Sequence, residues 1–130
     1  MRRARQRVLV VEDDGDLRRM FRTALSLSGF EVLEAPDGID ALQLIEHDQP
    51  DLVVLDLTLQ RLDGISVQQE LAARAITCHI PIVIVTASDA DVTGANVACL
   101  LRKPVWPDVL VRIVRDCLAR GSGAAAVNPL

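Results

Sequence analysis

A doubly wound α/β domain, built on five parallel strands in the order 2-1-3-4-5, is the fold class this sequence predicts. Three observations carry that expectation. The runs RVLVV, DLVVLDL and PIVIVTA are almost continuously apolar and rich in β-branched residues, as strands covered on both faces should be. The segments between such runs carry apolar residues at helical spacing. Polar residues stand where the strands end, and in a sheet of this kind ligands bind outside the carboxyl ends of the strands.

Each element follows in order. The first strand is RVLVV at 7–11. The first helix has Leu17, Met20, Phe21, Ala24 and Leu25 on one face, and Gly29 stops it in the C′ position. FEVLEA at 30–35 alternates and fits an edge strand. Asp37 caps a second helix with Ile39, Leu42 and Ile45 inward. DLVVLDL at 51–57 is the central strand, and GISVQQELAARA at 64–75 turns Val67 and Leu71 to the core. PIVIVTA at 81–87 and, less strongly, ACLLR at 98–102 complete the sheet. The last helix aligns Trp106, Val109, Leu110, Ile113 and Cys117 as its inward stripe, with Pro107 in its first turn. Right-handed crossovers wind this alternation into the sheet order given above.

Totals narrow the function. The 130 residues suit one domain with an aliphatic core, since only Phe21, Phe30 and Trp106 are aromatic. A formal charge of −4 gives no electrostatic reason to bind nucleic acid or an anionic membrane. The basic start, MRRARQR, is followed by only four apolar residues before Glu12, too few for a secretion signal. Cys78, Cys99 and Cys117 show no metal-ligand spacing and read as small buried apolar residues in a reducing compartment. A cytoplasmic location is expected. Residues 1–120 are expected to form the domain, and GSGAAAVNPL at 121–130 a loose tail.

The strand ends carry the chemistry. The first strand runs into Glu12, Asp13 and Asp14, the third ends at Asp56, the fourth at Thr86 and the fifth at Lys103. Carboxylates sharing one crevice repel unless a cation intervenes. Oxygen ligands without histidine or cysteine suit a hard ion such as Mg²⁺. Thr86 can donate to a phosphoryl oxygen and Lys103 can neutralise one. Lys103 is also the only lysine beside thirteen arginines, which fits a position that needs a compact ammonium. Together these parts describe phosphoryl transfer. Asp56 is the best nucleophile, because a rigid strand holds it, and Glu12 and Asp13 are better placed for the metal.

VLVVEDD, PDLVVLDLTLQRLDG, PIVIVTAS and RKP, in this order over residues 7–120, resemble the receiver domain of two-component response regulators. The resemblance implies a flavodoxin-like strand order and Asp56 as phosphoacceptor. It also implies Mg²⁺ held by Asp13, Asp56 and the Thr58 carbonyl, with Glu12 acting through water. Thr86 becomes the switch hydroxyl and Lys103 the phosphoryl-binding lysine, followed by a cis Lys103–Pro104 bond. The donor would be the phosphohistidine of a histidine kinase or phosphotransfer protein. The output would be contact with a downstream protein, with no turnover of a separate substrate and no direct nucleic-acid or membrane partner.

The chain departs from the family in specific places. Leu100 stands where the family has an aromatic that moves with the threonine, Gln60 where proline is frequent, and Val105 where an aromatic follows Lys–Pro. Thr58 stands beside the phosphoryl group, where it affects access of the hydrolytic water. Sixteen residues separate Thr86 from Lys103, near the lower limit for a parallel crossover. The helix between the fourth and fifth strands is therefore expected to be two turns at most, or absent.

Bland readings account for the other polar residues. Asp14 and Asp16 favour a helix start, Asp63 before Gly64 is a turn or helix-capping residue rather than a ligand, and His47 and His79 take no catalytic role. Trp106 is expected in the core. The competing function is a pseudo-receiver, the same fold docking proteins independently of phosphate. A flavin-binding flavodoxin-like protein is disfavoured because EDDGD would repel a phosphate. A haloacid-dehalogenase-type phosphatase wants a second acid at position 58.

Overall fold

A computed structural model describes residues 5–121; the tail expected at 121–130 lies outside the described residues apart from Gly121. The elements are β1 (Arg7–Val11), α1 (Gly15–Leu27), β2 (Glu31–Ala35), α2 (Gly38–Asp48), β3 (Leu52–Leu55), α3 (Gly64–Ala73), β4 (Ile82–Thr86), β5 (Val97–Arg102) and α4 (Pro107–Gly121). The strands form one parallel sheet in the order β2-β1-β3-β4-β5, as the sequence predicts. No helix forms between β4 and β5, so the short crossover takes its extreme expected form.

Alternation along each strand divides the core into two. Val8, Val10, Leu52, Val54, Val83 and Val85 face one side, packed against Phe21 and Leu25 of α1 and Leu110 and Val114 of α4. Leu9, Val11, Val53, Leu55, Ile82 and Ile84 face the other, packed against Ala41 and Ile45 of α2 and Val67 and Leu71 of α3. Burial on both faces explains why these strands read as unbroken apolar runs.

The helix ends obey local chemistry. Asp14 caps α1, its carboxylate accepting from the amides of Asp16 and Leu17, and Asp16 lies in the first turn. Asp37 caps α2 through the Asp40 amide and Asp63 caps α3 through the Ser66 amide. Gly29 follows α1 with φ +100°, a conformation that side chains with a Cβ rarely adopt.

Three burial expectations fail. Trp106 is 73% exposed: it stands just before α4, where its carbonyl accepts from Leu110 N, so its side chain leaves the helical stripe. The stripe itself is rotated to Leu110, Val111, Val114, Cys117 and Leu118. Met20 is exposed at the edge of the α1 stripe. Of the cysteines only Cys117 is buried; Cys99 is half-buried and Cys78 exposed.

Candidate functional site

Backbone hydrogen bonds between strands carry the predicted site residues to one end of the sheet. Glu12 N donates to Ala35 O, Asp56 N to Val11 O, and Lys103 N to Thr86 O. Each of these residues therefore continues a strand by one step, held by its neighbour strand rather than by a mobile loop.

Their side chains meet. Lys103 Nζ lies 2.8 Å from Glu12 Oε1 and 3.1 Å from Asp56 Oδ2. Asp56 Oδ1 accepts from Thr58 N at 3.1 Å, and Glu12 Oε2 from Asp14 N at 3.2 Å. Glu12 and Asp56 are buried and Asp13 is exposed, and ligand oxygens of all three lie within 4.8 Å of one another. Three carboxylates thus face one ammonium. That excess of negative charge, offered entirely by oxygen, fits a hard divalent cation.

The electrostatics show the strain of this arrangement. Burial pushes the Glu12 carboxyl up to about 7, against the hydrogen bonds from Lys103 and the Asp14 amide, which lower it, while the charge on Asp56 raises it further. Burial pulls the Lys103 ammonium down. Its hydrogen bond to Glu12 and the charges of Asp56 and Glu12 outweigh that, and the net shift is upward.

Thr86 is fully buried at the end of β4. Its Oγ1 accepts from Ser88 N at 3.2 Å rather than bonding any of the acids. The Thr58 side chain is exposed and its amide, as noted, holds Asp56. The Lys103–Pro104 peptide is cis, as the resemblance implies.

Sequence reasoning missed features both beneath Asp56 and farther along the sheet. Gly64 N donates to Leu57 O, and a Cβ on Gly64 would collide with Asp56 O and Leu57 Cα. The N-terminus of α3 thus rests directly on the backbone that carries Asp56. A buried pair, Gln68 Nε2 to Asn96 Oδ1 at 2.8 Å and Asn96 Nδ2 to Gln68 O at 3.2 Å, ties α3 to the start of β5. Leu100 is half-buried and packs against the second core, as do Ala90 and Val92 of the β4–β5 crossover. An aliphatic residue suits that place because the crossover covers the sheet without a helix.

A family model described as the response regulator receiver domain matches residues 8–115. The chain belongs to that family. It is a receiver domain of two-component response regulators. Among curated proteins it is similar to response regulator MprA of Mycolicibacterium vanbaalenii, 45% identical over 130 residues, covering 92% of this chain and 55% of that one. It is also similar to the "Probable transcriptional regulator ycf27" of Galdieria sulphuraria, 42% identical over 123 residues, covering 91% and 47% of the two chains. This receiver spans about half the length of these relatives. Among solved structures, the Francisella response regulator 1452 receiver domain superposes with a TM-score of 0.78 at 29% identity, covering 88% of this chain and 98% of that one. A CheY-like receiver domain protein from Methanospirillum hungatei shares the fold, with a TM-score of 0.84 at 22% identity over 92% and 98% of the chains. No helix among the described residues is long and apolar enough to cross a membrane.

Proposed function

We propose that Asp56 is the phosphoacceptor of this receiver, taking a phosphoryl group from the phosphohistidine of a histidine kinase or phosphotransfer protein. The observation that carries the reading is the contact of the only lysine with a buried strand-end carboxylate, inside a cluster of two further acids. A carboxylate oxygen of Asp56 attacks phosphorus, the phosphorus–nitrogen bond breaks, and the departing imidazole takes up a proton from solvent. Lys103 shifts from pairing carboxylates to pairing a phosphoryl oxygen, and Thr86 donates its hydroxyl to another. Asp13, Asp56 and the Thr58 carbonyl would hold Mg²⁺, with Glu12 acting through water, and the ion would neutralise phosphoryl charge.

The chain accepts and loses its phosphoryl without turning over a separate substrate, and it works in the cytoplasm. Its output is contact with a downstream protein. The relatives named as transcriptional regulators support an output in gene control, reached through a DNA-binding partner or segment rather than through this acidic domain itself.

The decisive experiment is intact mass after incubation with Mg²⁺ and acetyl phosphate. One phosphoryl adduct is expected on the wild type and none on Asp56→Asn or after chelation of the metal; absence of any adduct on the wild type would overturn the reading. The helix-free crossover and Leu100 favour one second reading, a pseudo-receiver that docks a partner without phosphate. It predicts partner binding unchanged by Asp56→Ala.

A further inference from the structure

Ten residues, 87–96, carry the chain from β4 to β5 without a helix. Backbone carbonyls in such a segment have no ladder of their own and take side-chain or water donors instead. Three consecutive carbonyls find the same one. Arg102 Nη1 donates to Ser88 O at 2.8 Å and Ala90 O at 3.0 Å, and its Nη2 donates to Asp89 O at 3.3 Å. Nη2 also lies 3.2 Å from Asp91 Oδ1. A planar guanidinium with donors fixed in a fork suits this task, and a lysine could not copy it.

Arg102 sits between the two ends of the phosphoryl site. It is paired in register with Thr86 across β4 and β5, and it immediately precedes Lys103. The segment it holds is also bonded to Thr86, through Ser88 N–H to Oγ1, and Ala90 N–H donates to Ser88 Oγ at 3.1 Å. The Ser88 residue therefore joins the threonine hydroxyl on its amide side to Arg102 on its carbonyl side. The far end of the crossover is fixed separately, by Asn96 on Gln68.

We propose that Arg102 is a positioning residue of the phosphoryl site, holding residues 88–91 as a strap that keeps Thr86 Oγ1 on Ser88 N–H until Asp56 is phosphorylated. The proposal rests on Asp56 being the phosphoacceptor. When Thr86 turns its hydroxyl to a phosphoryl oxygen, the Ser88 amide loses its acceptor. A β-branched side chain has few rotamers, so this exchange is a switch between two arrangements rather than a gradual drift. The strap then shifts against Arg102, and the change is read at 87–91, where this receiver has no helix.

Amide hydrogen exchange on the full chain tests this, for wild type, Arg102→Gln, Arg102→Lys and Thr86→Val, each with and without Mg²⁺ and beryllofluoride as the phosphoryl mimic. Acetyl phosphate adducts are measured by mass in parallel. In the unloaded protein, Arg102→Gln and Arg102→Lys are expected to raise exchange at Ser88 and Ala90 about tenfold, with β1 and β3 unchanged. Beryllofluoride is expected to bring the wild type to the same rates and to add little in the variants. Thr86→Val, close in volume, is expected to free the Ser88 amide without any mimic. An adduct on wild type with no change at 88–91 on loading overturns the strap and leaves the phosphoacceptor reading standing. So does unchanged Ser88 exchange in Thr86→Val, even if Arg102→Gln unfolds. No adduct on wild type overturns both.

Discussion

Two neighbouring crossovers leave the site end of the sheet, and they are held by different chemistry. From β3 to β4 the chain passes through α3, capped by Asp63 and packed by Val67 and Leu71. From β4 to β5 it passes through no regular structure, and Thr86, Ser88, Arg102 and the Gln68–Asn96 pair hold it. A helix satisfies its interior backbone with little regard to its side chains, which matter mainly at its ends. A bare crossover depends on particular side chains, so single polar substitutions act there with unusual locality. By this contrast α3 is expected to act as the rigid floor beneath Asp56, and the helix-free side as the part that responds.

The largest expected effect lies on the rigid side. Gly64→Ala forces a Cβ into the backbone of Asp56 and Leu57, which cannot move without displacing the acceptor. A cost of about 3 kcal/mol in urea unfolding is expected, with loss of the phosphoryl adduct. A mild effect would show that the α3 floor yields as readily as the strap. Next comes Asn96→Ala, which leaves the buried Gln68 amide without its acceptor. About 2 kcal/mol is expected, and exchange is expected to rise at the β5 end of the crossover. Asp63→Ala removes only a cap on α3 and should cost about 1 kcal/mol by the same assay.

Two pH effects of opposite sign complete the comparison. The Glu12 carboxyl is pushed up to about 7 from 4.5, chiefly by burial, so the folded chain binds that proton more tightly than the unfolded chain does. Metal-free protein should gain stability as pH falls across that interval and lose it as pH rises, and Glu12→Gln should flatten this limb. The amide of Ser66 holds Asp63 below its usual 3.8. Its contribution is present above that value and fades as pH falls through the folded one. Urea unfolding with chelator between about pH 3 and 8 reads both limbs.

Much of the site is legible in the sequence because it sits where strands end. Asp56 and Lys103 are 47 residues apart, yet their meeting follows from the strand order alone. Asp63 is legible as a cap because its partner lies three residues away. Lys103 reaching Glu12 as well as Asp56 is not legible, since strand order brings ends together without choosing the pairs. Trp106 fails for a related reason: helical period predicts a face, but the residue before Pro107 is not yet on the helix.

The sequence by itself determined the elements whose causes are local: apolar runs that must be covered on both faces, caps at Asp14, Asp37 and Asp63, and a crossover too short for a full helix. Only the tertiary structure decided that the Arg102 guanidinium gathers three carbonyls, that Asn96 meets Gln68, and that α3 rests on the Asp56 backbone through Gly64. Periodicity and propensity act over one or two turns of chain. A buried hydrogen bond is set by whichever group arrives opposite it, and here those groups arrive from 14 and 28 residues away.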